Sequence, residues 1–243
     1  EFPERLEGSL HRITAYPRIL PLLSGRIRFS RIDFHAPRFQ LKTNSLQTAR
    51  ERTSIESEIR RAIAAVAMQP ILETPGLTVQ IISGRFDIGD RDPPTYHFEG
   101  INARIRRTAE RIHLKVVSRS NLWEQLTFVG QLKPATVRGY ATLQIKAFKP
   151  HRVPDLLRFE ATRMRLTRSL LDLNVNIDAD APDHLRIELK GINPEFQLDI
   201  RDRHVLLAGK RFEGVVRSDP QTWMAGLSVL ELDRDKIGQY VIS

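Results

Sequence analysis

Two groups of polar side chains have residue types that can bind metal ions. In the first group, Asn174, Asn176, Asp178 and Asp180 alternate with apolar residues, so all four side chains point from one face of a strand. Oxygen ligands in a row attract Ca²⁺. An extended strand, however, separates successive members by about 7 Å, which is too far for a single cation. We therefore expect this row to be a solvated strand face.

The second group, Asp199, Asp202 and His204, lies at an expected hairpin turn, where it resembles a metal site only loosely. The seven histidines are scattered, and no two have ligand spacing. The sequence has no Gly-rich phosphate loop, no Gly-x-Ser-x-Gly elbow and no His-Glu-x-x-His pair. A catalyst needs converging polar groups. We therefore expect a non-enzymatic protein with no catalytic residue, no metal and no cofactor.

Composition narrows the class of protein further. The 243 residues, of which 41% are hydrophobic, suffice to bury a core. No apolar run approaches the length of a membrane span. The absence of cysteine excludes disulfides, thiolate metal sites and cysteine nucleophiles. The net charge is +9, and thirty of the 38 basic residues are arginine, which suits phosphate groups. These arginines are dispersed and form no recognition motif, so no nucleic-acid partner is expected.

A short repeated phrase indicates how the chain is organised. Ser24-Gly25-Arg26-Ile27 and Ser83-Gly84-Arg85-Phe86 each open a run in which apolar side chains take one face and polar side chains the other. The alternation slips by one residue near Ser30 and again after Pro37, which is typical of β-bulges or sheet edges. Further alternating runs follow at a spacing of about ten residues, which favours an antiparallel meander.

One segment has helical periodicity. Ile55, Ile59, Ile63 and Val66 form a stripe within residues 47–68, and charged side chains occupy the remaining surface. This pattern predicts an amphipathic helix that packs on one end of the sheet, closes the end of an apolar groove, or lies on a membrane surface. Prolines after Phe148 mark a soft boundary, which divides the chain into regions 1–147 and 148–243.

Two phrases resemble the N-terminal periplasmic region of the AsmA-like family. Residues 21–41 (PLLSGRIRFSRIDFHAPRFQL) match the family's Leu-Leu-x-Gly-x-Ile phrase, which runs into a strand and then a proline-led strand. Residues 75–88 (PGLTVQIISGRFDI) are similar to its second recurring phrase. The later strands of 1–147 read like its following repeats, and the sequence beyond is generic. The marked helix between the two phrases departs from the family pattern.

The resemblance implies a fold, a location and a ligand. It implies an elongated, curved antiparallel meander with an apolar groove, continuing through both regions. It implies a periplasmic protein tethered to the inner membrane by a helix upstream of this sequence. It further implies that the protein binds or conducts phospholipids in outer-membrane lipid homeostasis and biogenesis, with inner-membrane or outer-membrane assembly proteins as further partners. No catalytic residue is carried over.

The residues themselves are compatible with such a groove. A sheet with a single long helix cannot cover its apolar face with a helix layer, and an apolar trough gains about 0.8 kcal/mol for each methylene of a buried acyl chain. We expect Ile145→Glu to abolish lipid binding and leave the fold intact. The expected groove-lining residues are Ile27, Phe29, Val79, Ile81, Phe98, Ile101, Leu114, Val116, Leu143, Ile145, Val175, Ile177, Ile187 and Leu198.

Two other functions remain open. A closed β-sandwich would act as a non-enzymatic scaffold for outer-membrane protein assembly, by adding strands at an exposed edge. An Arg-rich β-fold that binds nucleic acid would show affinity with a steep salt dependence.

Overall fold

The computed structural model describes residues 6–41, 75–89, 94–152, 164–181, 184–200, 203–218, 223–232 and 240–241. The expected helix over 47–68 lies outside these residues. The strands are β1 (Leu6–Ser9), β2 (Arg12–Pro17), β3 (Phe29–His35), β4 (Arg38–Leu41), β5 (Thr78–Ile88), β6 (Tyr96–Arg107), β7 (Ile112–Ser120), β8 (Gln125–Lys133), β9 (Arg138–Phe148), β10 (Met164–Ala181), β11 (His184–Ile200), β12 (Arg203–Ser218), β13 (Trp223–Leu232) and β14 (Tyr240–Val241).

Strands dominate the described residues, and most of their pairings are antiparallel. The expectation of a mainly β fold is therefore confirmed. Helical structure in the described part of the chain is limited to α1 (Ile19–Leu23) and a 3-10 turn at Pro150–Arg152. No helix among the described residues is long and apolar enough to cross a membrane.

The chain divides into two compact units. The first comprises residues 1–118 and 131–135, and the second comprises residues 119–130 and 136–243. The boundary expected near Phe148 falls inside the second unit and remains a prediction about domains.

The first unit contains parallel as well as antiparallel pairs. Its strand order is β1-β4-β5-β6-β7, and β3 also pairs with β5 and with β2. Both β3 and β4 run parallel to β5, whereas a meander would make every pair antiparallel. The physical reason is the long connection between Leu41 and Thr78, since parallel neighbours need a crossover of a dozen or more residues.

Bulges keep the side chains of the first unit in phase. Ile81 pairs with Ala103 and Gly84 pairs with Ile101, so β5 holds one extra residue between these two pairs. Ser83 occupies this bulge with a φ of 56°. The next shift lies on β6, where Gly100 has a φ of 58°. Because strict alternation puts residues three apart on opposite faces, each bulge restores the apolar side chains to one face.

The second unit is a meander in which each strand from β9 to β13 pairs antiparallel with the next. It also contains residues 125–130 of β8, and β14 pairs with β12. On β9 the register shifts between Ile145, opposite Leu173, and Phe148, opposite Leu171. Ala147 provides the extra residue, with a φ of 51°. This bulge therefore places Ile145 and Phe148 on the same face of β9, as the bulges on β5 and β6 do for their apolar side chains.

The described residues bury few apolar side chains completely. Six apolar side chains are the most buried of those described, and most other side chains on the apolar faces are half-buried. The six are Leu77, Ile112, Leu122, Ile145, Leu171 and Val175.

Candidate functional site

The first unit has one continuous apolar face. Val79 and Ile81 of β5 lie opposite Ile105 and Ala103 of β6, and further along Phe86 lies opposite Phe98. The rings of Phe86 and Phe98 stack with centroids 5.9 Å apart. Four of the expected groove residues are brought together on this face: Val79, Ile81, Phe98 and Ile101.

The parallel strands extend this face with residues that were not in the expected set. Ile32 and Phe34 of β3 lie beside Val79 and Ile81, and Phe39 of β4 lies beside Phe86. Ile32, Phe34 and Phe39 lie within residues 21–41, where the alternation slips near Ser30 and after Pro37. Their side of the sheet depends on the bulge residues between β3 and β4, which sequence alone does not resolve.

The opposite face of the first unit is polar and charged. Arg85 donates to Asp87 at 2.8 Å, and His97 Nδ1 lies 2.5 Å from the other carboxylate oxygen of Asp87. Partial burial raises the pKa of Asp87, but the hydrogen bonds from His97 and Arg85 outweigh it and leave the pKa below its usual value. Glu99 contacts the other nitrogen of His97. The cluster is a network of charges that satisfy one another.

The second unit repeats this division between its faces. Leu143 and Ile145 of β9 lie opposite Val175 and Leu173 of β10, and Ile187 of β11 lies opposite Ile177. Five of the expected groove residues share this face: Leu143, Ile145, Val175, Ile177 and Ile187. Residues outside the expected set that join them are Ala141, Phe148, Leu171, Leu173, Leu185 and Leu189.

Burial separates these residues into two roles. Ile145 is 8% exposed and Val175 is 6% exposed, so both pack inside the unit. Leu143, Ile177 and Ile187 are only half-buried. A carboxylate at Ile145 would therefore be buried without a partner and would destabilise the fold. Ile145→Glu is consequently not the test of lipid binding that the sequence suggested, whereas the half-buried positions are suitable.

The row of four polar side chains lies on the other face of β10. Asn174, Asn176 and Asp178 pair in register with Lys190, Glu188 and Arg186 of β11. Asn176 also accepts a hydrogen bond from the Thr142 hydroxyl at 3.3 Å. Among the described residues, no group of three or more His, Asp or Glu side chains is placed to hold a metal ion.

The remaining expected residues are placed differently. Leu114 and Val116 share one face of β7 and are half-buried. Phe29 begins β3 opposite Pro17. Leu198 pairs in register with Leu166 and Val205, and its side chain lies outside the description. Ile27 precedes β3 and is 71% exposed in a loop, apart from both sheet faces.

Comparisons with known proteins identify no relative of this chain. Searches against family models, curated proteins and solved structures give no significant match.

Proposed function

We propose that the chain binds phospholipid acyl chains along the apolar faces of its sheet and belongs to the machinery of outer-membrane lipid homeostasis. The observation that carries the proposal is the half-exposed state of these faces. Consecutive strands in each unit align Ile, Leu, Val and Phe side chains on one side. Most of these side chains retain exposed surface.

The energetics favour a lipid as the ligand of such a face. Each methylene that leaves water gains about 0.8 kcal/mol, so an acyl chain laid along several strands gains affinity without any specific polar contact. The described helices are too short to form a covering layer, since α1 buries none of its residues. Arginines on the polar faces and loops supply phosphate-binding groups.

The location and partners follow from the resemblance to the AsmA-like family. In this proposal the chain works in the periplasm, tethered to the inner membrane by a helix upstream of the sequence. Inner-membrane or outer-membrane assembly proteins would then deliver or receive the lipid. Nothing in the proposal requires catalysis, because lipid moves along the face by diffusion.

The test is native mass spectrometry with lipid extraction on the chain purified from a Gram-negative host, followed by loading with a photo-crosslinkable phospholipid. Leu143→Glu and Ile81→Glu place a carboxylate on the half-buried apolar faces. Their controls, Thr142→Glu and Gln80→Glu, place the same charge on the neighbouring residue of the opposite face. Circular dichroism establishes that each variant is folded.

We expect bound phospholipid in the unmodified chain and in both controls, and at least about tenfold less in the apolar-face variants, as expected for a charge placed against acyl chains. A folded chain that carries no lipid, even after incubation with labelled phospholipid, would refute the proposal. That outcome would favour the scaffold function, in which the sheet adds strands from a partner at its edge.

A further inference from the structure

The loop that joins β2 to β3 is a separate feature of the first unit. It comprises residues 18–28 and is called here the apolar tip. The amide of Arg18 donates to the carbonyl of Arg28 at 2.7 Å, which closes the base of the loop. The Arg18 guanidinium donates to the carbonyl of Pro75 at 2.6 Å and fixes this base to the start of β5.

Large apolar side chains of the tip are directed to solvent. Ile19, Leu20, Leu23 and Ile27 are 75%, 79%, 80% and 71% exposed, respectively. None of the residues of α1 is buried. Single exposed leucines are common on protein surfaces, but a contiguous cluster of this kind marks an interaction site.

Internal hydrogen bonds shape the tip without a partner. The amides of Ser24 and Arg26 donate to the carbonyl of Pro21, and that of Gly25 donates to the carbonyl of Leu22. Gly25 has a φ of 71°, which a residue without Cβ adopts at little cost. A formed turn therefore holds the apolar side chains in their exposed positions. Little conformational entropy is lost when these side chains enter an apolar environment.

The segment that contains the tip carries charge of one sign. Residues 8–32 contain five arginines and no Asp or Glu. Arg26 and Arg28 are exposed within the tip itself, next to Ile27. Exposed apolar side chains next to exposed arginines suit an anionic bilayer, in which phosphates lie above the acyl chains.

We propose that the apolar tip docks on an anionic phospholipid bilayer, with Leu20 and Leu23 entering the acyl boundary and Arg26 and Arg28 contacting lipid phosphates. This is a peripheral contact with an intact membrane surface. It is distinct from the binding of single lipid molecules along the sheet, and it holds whether or not the sheet binds lipid.

Vesicle co-sedimentation of the full chain tests this docking, with phosphatidylcholine vesicles that contain or lack phosphatidylglycerol. Leu20→Ser/Leu23→Ser removes the inserting groups, and Arg26→Gln/Arg28→Gln removes charge alone. Val129→Ser/Tyr140→Ser is the matched control, because it removes two exposed apolar side chains far along the sequence. A Leu23→Trp variant with brominated lipid reports insertion directly.

The unmodified chain and the control should bind anionic vesicles. The affinity of each tip variant for these vesicles should be lower by at least about tenfold. In Leu23→Trp, bromolipid should quench the fluorescence of the introduced indole more strongly than that of the chain's own tryptophans. Equal binding by tip variants and the unmodified chain, or an introduced indole that bromolipid leaves unquenched, would overturn the proposal. Leu143→Glu separates the two lipid proposals, since it should lose single-lipid binding and retain vesicle binding.

Discussion

Asp172 is predicted to determine which way Phe148 faces. Its carboxylate accepts a hydrogen bond from the amide of Ala147 at 2.8 Å, and Ala147 is the bulge residue of β9. This bulge lets Ile145 and Phe148, three residues apart, share the apolar face. The left-handed φ of Ala147 costs about 1 kcal/mol or more, so the bulge depends on this acceptor.

The magnitude follows from the environment of the bond. Asp172 and Ala147 are both half-buried, and a hydrogen bond to a charged group contributes about 1.5–3 kcal/mol. Asp172→Ala should lower the stability of the bulge by this amount, and Asp172→Asn, which retains an acceptor oxygen, should lower it by about 1 kcal/mol. On β5 the Ser83 amide donates to the neutral and exposed Asn102 side chain at 3.1 Å, so Asn102→Ala should cost only about 0.5–1 kcal/mol.

Native-state hydrogen exchange measures this directly. Protection of the Ala147 amide should fall about 10- to 100-fold in Asp172→Ala and clearly less in Asp172→Asn. Trp123, whose ring lies 6.4 Å from that of Phe148, gives a second signal through its fluorescence. The role of the carboxylate would be refuted if the Ala147 amide were equally protected in the unmodified chain, Asp172→Ala and Asp172→Asn. It would also be refuted if both variants lost the same protection.

Two further predictions concern burial and pH. Ile145→Ala should lower the free energy of unfolding in urea by about 2–4 kcal/mol and Ile187→Ala by markedly less, because only Ile145 is buried; equal costs would contradict this division. Burial lowers the pKa of His151 by more than its backbone contact with Ser169 raises it. The Ser169 amide donates to His151 Nδ1 at 2.8 Å, a hydrogen bond that only an unprotonated Nδ1 accepts. The neutral His151 ring should stabilise the folded state above the unfolded pKa of about 6.5. This stabilisation should be lost as the pH falls through the lower pKa of the folded state. Urea midpoints at about pH 7.5 and about pH 5.5 should therefore differ more for the unmodified chain than for His151→Asn, and parallel changes would contradict the assignment.

Alternation in the sequence was sufficient to predict the strands and much of the apolar face. Val79 and Ile81 flank Gln80, and Leu143 and Ile145 flank Gln144, so period-two patterning predicted that each pair shares a face. The slip after Pro37 predicted a bulge or edge, and Ala36, directly before Pro37, has a φ of 47°.

Long-range pairing was beyond the sequence. The parallel placement of β3 and β4 beside β5 depends on a distant partner, and local patterns carry no information about it. Ile27 looked like a strand residue because Arg-Ile-Arg-Phe alternates, yet the bond between Arg18 and Arg28 places it in a loop. The buried state of Ile145 likewise depends on its neighbours across β10, which no single strand reveals.

The consecutive order of strands in the second unit has a consequence for how it folds. From β10 to β13 each strand follows its partner after only a short connection, over residues 182–183, 201–202 and 219–222. Short loops lose little entropy on closure, and contacts that are local in sequence form rapidly. Each strand can therefore pair with the preceding strand early in folding. The first unit must instead bring β5 back to β3 and β4, so we expect its parallel pairs to form last and to limit the rate of folding.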